Sequence, residues 1–166
     1  MILGVTGHRP PDLGGYSEEA FELLVDLASE EIPKLKPRAV IVGMALGWDQ
    51  ACATACWRLG IPYGAYIPFE EQAKAWPKLS RYRWQTLREN ATVERVFGKK
   101  YEQSLMFVRN HAIVDDSDTI LANYNGYIHS GTGECVTYAQ TRKKEIINVY
   151  DRWKRGFDRS GIVDDS

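Results

Sequence analysis

The stretch MILGVTGHRPPDLGGY, residues 1–16, decides the fold. Met1 to Thr6 is apolar without polar alternation, the pattern of a strand buried on both faces of a parallel sheet. Gly7-His8-Arg9-Pro10-Pro11 then breaks the strand with a permissive glycine, an imidazole, a guanidinium and two prolines that cannot continue a ladder. A buried strand at the start of the chain is expected in mid-sheet, and open α/β sheets hold ligands in the loops beyond the C-terminal ends of their strands. Residues 1–16 therefore predict a small α/β domain with a pocket for something anionic.

Outward from this stretch, helix and strand signals alternate. Ser17 with Glu18 and Glu19 starts a helix whose apolar face is Phe21, Leu24, Ala28 and Ile32. Arg38–Gly43 is a second buried strand, followed by a helix through Trp48, Ala51, Ala55 and Leu59 that Gly60 closes. Ile61–Ile67 is a third strand. Residues 68–77 read as a loop or short turn, Lys78–Asn90 as a basic helix, and Thr92–Phe97 as an exposed or edge strand. A helix over Tyr101–Asp115, a strand over Asp118–Asn123, a helix through Val136 and Ala139, and a strand over Glu145–Tyr150 complete the series. Beyond Asp151 the alternating charges and glycines predict a peripheral or frayed tail. The sum is a Rossmann-like, doubly wound, mostly parallel sheet in a three-layer αβα sandwich, one domain over residues 1–150 with a tail over 151–166.

Composition narrows the function. With 21 basic and 22 acidic residues the formal charge is −1, which gives no bulk field for nucleic acid or membrane. Cys52, Cys56 and Cys135 lack the spacing of common zinc or redox pairs and read as buried thiols. No metal centre, cofactor or targeting segment is expected, and the chain reads as soluble and cytoplasmic.

Strand ends at Gly7-His8-Arg9, Gly43–Gly47 and Ser130–Gly133 should share one edge of the sheet, where bare backbone amides and helix N-termini suit a phosphate. None is a Walker loop, and none has the G-x-G-x-x-G dinucleotide spacing.

With these segments in view, the chain resembles the small stand-alone members of the SLOG superfamily, which also holds the LOG phosphoribohydrolases and the DprA/Smf proteins. The resemblance rests on Gly4–Pro10 with Leu13–Tyr16, Gly43–Asp49, Arg109-Asn110 with Val114-Asp115 and Ser117-Asp118, and Gly131-Thr132 with Tyr138-Ala139. It implies a Rossmann-like fold that binds nucleotides or nucleotide-derived ligands; related domains in anti-phage systems sense signals derived from ADP-ribose. LOG enzymes carry M-x-x-R-K-x-x-M and a loop P-G-G-x-G-T-x-x-E. Met106, Arg109 and Ile113 fall in that register with Asn110 for the lysine, but Cys135 occupies the position of the glutamate, and Glu134 lies one residue early, about 100° away on a helix.

The expected function is thus binding of an ADP-ribose-like or other phosphorylated nucleoside, as a sensor, carrier or sequestering protein. The expected contacts are Gly7, His8, Arg9, Gly43, Met44, Ala45, Gly47, Asp49, Arg109, Asn123, Asn125, Ser130, Gly131, Thr132 and Gly133. Among these His8, Arg9 and Arg109 would supply charge, while Asp49, Asn123 and Asn125 would take sugar or base. The alternative is N-glycosidic cleavage of nucleoside 5′-monophosphates with Arg109 and Glu134 as the catalytic pair. A third reading, single-stranded DNA binding through the basic and aromatic segment Lys78–Arg95, finds little support in the net charge. The aromatic residues between Trp76 and Trp84 suggest a homo-oligomer.

Overall fold

A computed structural model describes residues 1–166. Six strands form one parallel sheet in the order β4-β3-β2-β1-β5-β6. They are β1 (Ile2–Gly7), β2 (Ala39–Val42), β3 (Tyr63–Ile67), β4 (Val93–Val96), β5 (Thr119–Asn123) and β6 (Glu145–Asn148). As the opening residues predict, β1 lies inside the sheet, with Leu3 opposite Val40 of β2 on one side and Thr119 of β5 on the other. The strand at Val93–Val96, expected as an exposed or edge strand, is an exposed edge.

The helices are α1 (Glu18–Leu35), α2 (Trp48–Leu59), α3 (Lys78–Glu89), α4 (Gln103–Asp115), α5 (Gly131–Thr141) and α6 (Tyr150–Ser160). Winding from β1 out to β4 lays α1, α2 and α3 on one face, and the return to β5 lays α4 and α5 on the other, as right-handed crossovers require. The main core fills the first face, from Leu3, Val5 and Leu121 of the sheet to Leu24, Ala55, Trp84 and Trp153. Val114, Ile120, Cys135 and Ala139 form a smaller core on the second.

The chain beyond Asp151, expected as a peripheral or frayed tail, is helical through Ser160. Tyr150, Trp153 and Phe157 recur on one side of α6; Trp153 is buried and stacks on Phe157, and Arg152 pairs with Glu30 and Glu31 of α1. Phe157 also fills the space where Gly14 would carry a Cβ, so this glycine of the opening stretch serves packing. The aromatic segment read as an interface is largely internal: Trp84 is buried, Trp76 packs against the core, and Tyr82 remains exposed. Cys52, Cys56 and Cys135 are buried free thiols. No helix is long and apolar enough to cross a membrane.

Candidate functional site

Strand order reverses between β1 and β5, the point where open α/β sheets leave a crevice. A cleft of about 140 Å³ lies there. Its walls are Thr6, Gly7, His8, Arg9 and Asp12 from β1 and its loop, Ala45 and Asp49 at the start of α2, Met106, Arg109 and Asn110 from α4, and Ser130, Gly131 and Thr132 at the start of α5.

Each wall has a local cause. Ser130 caps α5: its Oγ accepts the Gly133 amide at 2.9 Å and donates to Tyr127 O at 2.8 Å. First-turn amides have no acceptor inside their own helix. Those of Gly131 and Thr132, both lining the cleft, are therefore free for an anion at the positive end of the helix dipole.

Arg109 comes from the middle of α4 and is 4% exposed. Its Nε donates to Asn110 Oδ1 at 2.9 Å, and its Nη1 donates to Gly43 O and, at 3.4 Å, to Tyr66 O. Nη2 takes part in none of these bonds. Asp116, seven residues further along, accepts from Tyr66 and Arg95.

Asp49 is the counter-charge of Arg109. Burial pushes its carboxyl up to about 6, against the pull of the guanidinium; burial in turn lowers the Arg109 pKa. Asp49 Oδ2 accepts the Ala45 amide at 3.3 Å, and Oδ1 has no partner.

His8 does not supply charge as the sequence suggested. It is 4% exposed, and its Nε2 accepts the Asn125 amide at 3.0 Å, which assigns the proton to Nδ1. Burial holds its pKa below the ordinary value and favours the neutral ring. Arg9 is exposed and is the cation at the mouth.

A profile of the YspA SLOG family matches residues 3–153. The chain belongs to the YspA SLOG family. No curated protein matches it in sequence. Among solved structures, this SLOG chain is similar to DNA processing protein A from Helicobacter pylori, described for its single-stranded DNA binding, with a TM-score of 0.66 at 16% identity over 95% of this chain and 73% of that one. The counterpart from Streptococcus pneumoniae gives 0.64 at 13% identity over 97% and 56%. The molybdenum cofactor carrier protein from Chlamydomonas reinhardtii gives 0.57 at 15% identity over 98% and 86%. At these identities the likeness is one of fold.

Of the residues singled out in this SLOG sequence, Gly7, His8, Arg9, Ala45, Asp49, Arg109, Ser130, Gly131 and Thr132 meet in the cleft. Gly43, Met44, Gly47, Asn123, Asn125 and Gly133 lie outside its lining. The glycines expected to cradle phosphate mostly serve packing. A Cβ on Gly7 would stand 2.4 Å from Trp48, and one on Gly133 2.5 Å from Ile128 O. Gly47 has φ +92° and would meet His8 O at 2.6 Å, so no other residue fits its turn. Met44 is buried in the core with φ +64°. Asn123 is fully buried, and both polar atoms of its side chain lack partners. Asn125 Oδ1 turns into its own loop and accepts the Tyr127 amide at 2.9 Å.

The catalytic alternative meets obstacles in the same geometry. Glu134 Oε1 is held by His111 Nε2, and Oε2 accepts from Asn110 Nδ2 at 3.3 Å. His111 itself stacks on Tyr138, with ring centroids 3.8 Å apart. Cys135 points into the smaller core, where burial pushes its thiol up to about 12. Sequence reasoning passed over Asp12, Thr6 and Gln72. Gln72 shares the Gly43 carbonyl with Arg109, donating to it at 3.2 Å, and accepts from Trp84 Nε1 at 2.9 Å. An isolated glutamine in an irregular segment carries no signal of that role.

Proposed function

We propose that the switch-point cleft binds the phosphate-bearing end of a nucleotide-derived small molecule, ADP-ribose-like or another phosphorylated nucleoside, and that the protein acts as a sensor, carrier or sequestering protein. One observation carries this reading: two free amides of α5, the uncommitted Nη2 of Arg109 and the exposed Arg9 line a single cleft. Amides at a helix start and a guanidinium are the two donor types that best match a phosphate. Asp49 compensates the charge of Arg109, and Arg9 is the exposed cation at the mouth, with Asp12 in the same wall.

Binding suits the site better than cleavage. Both oxygens of Glu134 are engaged, and the position of the LOG glutamate holds a buried, protonated thiol. Single-stranded DNA binding through residues 78–95 is less well served, because Arg83 pairs with Glu18, Arg88 with Glu70 and Glu94, and Arg95 with Asp116, which leaves Lys78 and Arg81 as the exposed cations outside these pairs.

The test is thermal unfolding against a nucleotide panel that includes ADP-ribose and AMP. A ligand at about 100 times its Kd adds about 2.7 kcal/mol of stability. A rise in Tm that Arg109→Ala abolishes supports the reading, and an unmoved Tm across the panel overturns it. Release of free adenine from AMP, lost in Glu134→Ala, would favour the glycosidase instead. Salt-dependent binding of single-stranded DNA would favour the third reading.

A further inference from the structure

A second cleft, of about 280 Å³, lies across the loop contact that bounds the first. In that contact Trp48 N donates to His8 O at 3.3 Å, and Gly47 packs against the Arg9 backbone. His8 and Arg9 line the first cleft and Gly47 lines the second, so this contact is the ridge between them.

The second cleft holds a buried acceptor with no donor. Gln50 is 1% exposed, and its Nε2 donates to Met44 O at 3.2 Å. That bond fixes the orientation of the amide and leaves Oε1 without a partner. Gln50 is among the residues that line the cleft, and its buried Oε1 is an acceptor for which the chain supplies no donor.

The cleft also holds a rigid planar platform. The Arg83 guanidinium lies 4.0 Å over the Phe21 ring and donates to both oxygens of Glu18 at 2.8 and 2.9 Å. One face of the guanidinium is occupied by Phe21, and Arg83 lines the cleft. Arginine planes held in this way are stacking surfaces for nucleobases. At the rim, Tyr16 and Leu79 are each 59% exposed, apolar surface beside a concavity that has no apolar partner within the chain.

We infer that the second cleft takes the amino-bearing planar base, adenine in type, of the nucleotide whose phosphate lies in the first cleft. The base stacks on Arg83, its edges meet Tyr16 and Leu79, and its exocyclic amine donates to Gln50 Oε1. A ring carbonyl at the same position would set two acceptors against each other, so hypoxanthine is disfavoured. The sugar crosses the ridge between Arg9 and Gly47. This inference rests on the reading of the first cleft and adds to it the class of base.

The test titrates the protein with AMP, IMP and ribose 5-phosphate, which share one ribose and one phosphate and differ at the base alone. The expected result is that AMP binds at least tenfold more tightly than either of the others. Gln50→Met, matched in length, and Arg83→Leu, at the surface, should each lower the ratio of AMP to ribose 5-phosphate affinity toward one. Arg83→Leu keeps the test decisive should Gln50→Met fold poorly. If ribose 5-phosphate binds and adenine adds nothing, or if the adenine preference survives in the folded variants, the second cleft is not the base site, and the first-cleft reading stands alone. If none of the three binds, the first-cleft reading fails and this inference falls with it.

Discussion

Arg109 Nη1 and Asp49 Oδ2 close over Gly43 from two directions: a Cβ on Gly43 would stand 2.5 Å from the nitrogen and 2.8 Å from the oxygen. The bare backbone at the end of β2 therefore lets two buried, opposite charges share the floor of the cleft. Gly43→Ala should destabilise the protein by about 1–3 kcal/mol through overpacking. It should also weaken phosphate-ligand binding by displacing Arg109. Urea unfolding and a ligand titration check both effects, and unchanged stability would show that the pair is not crowded.

The Asp49 carboxyl titrates at about 6 in the fold against an ordinary 3.8, so the folded state favours its protonated form. Its contribution to stability is full below pH 4 and is lost as pH rises through 6, by about 3 kcal/mol at most. Asp49→Asn removes that dependence, with a constant offset from leaving Arg109 without its counter-charge. The stability of wild type minus that of Asp49→Asn should thus be larger at pH 4.5 than at pH 8, and a flat difference across that range contradicts the burial of the charge.

His8 titrates with the opposite sign. Burial holds its pKa below 6.5, so the stability it contributes is present above that pH and is lost on acidification. His8→Gln keeps an acceptor for the Asn125 amide and should remove the acid-side loss. His8→Ala leaves that amide without its acceptor and should cost about 1–3 kcal/mol at pH 7.5. Equal stability of the two variants would contradict the assigned bond.

Trp153→Ala should cost about 3–5 kcal/mol, since the indole is buried against the main core. Arg152→Ala removes the half-exposed partner of Glu30 and Glu31 and should cost about 1 kcal/mol. Urea midpoints of the two variants check the ranking. A silent Trp153→Ala would return α6 to the status of a loose tail.

The sheet was legible because burial on both faces writes itself as unbroken apolar runs, as in Leu3–Val5 and Val40–Val42, and the edge showed in the charges of Glu94 and Arg95 between Val93 and Val96. The cleft was legible because glycine and cationic turns follow those runs. Less legible was what each glycine is for: Gly7 and Gly133 look like phosphate turns in sequence, yet they are bare because Trp48 and the Ile128 backbone pass close to them. Long-range contacts of that kind leave no local pattern. Helix α6 was masked by Arg152, Lys154, Arg155 and Gly156, although Tyr150, Trp153 and Phe157 already carried helical spacing. Gln50 stood out only once burial left its Oε1 without a partner.

The most direct test of the central claim is a calorimetric titration of ADP-ribose into the wild-type protein, Arg9→Glu and Arg109→Met. Arg9 is exposed, so its reversal of charge leaves the core untouched. The account predicts saturable binding to wild type at one site per chain, weakened at least tenfold in each variant. No heat of binding to the wild type, or equal affinity across all three proteins, would contradict it.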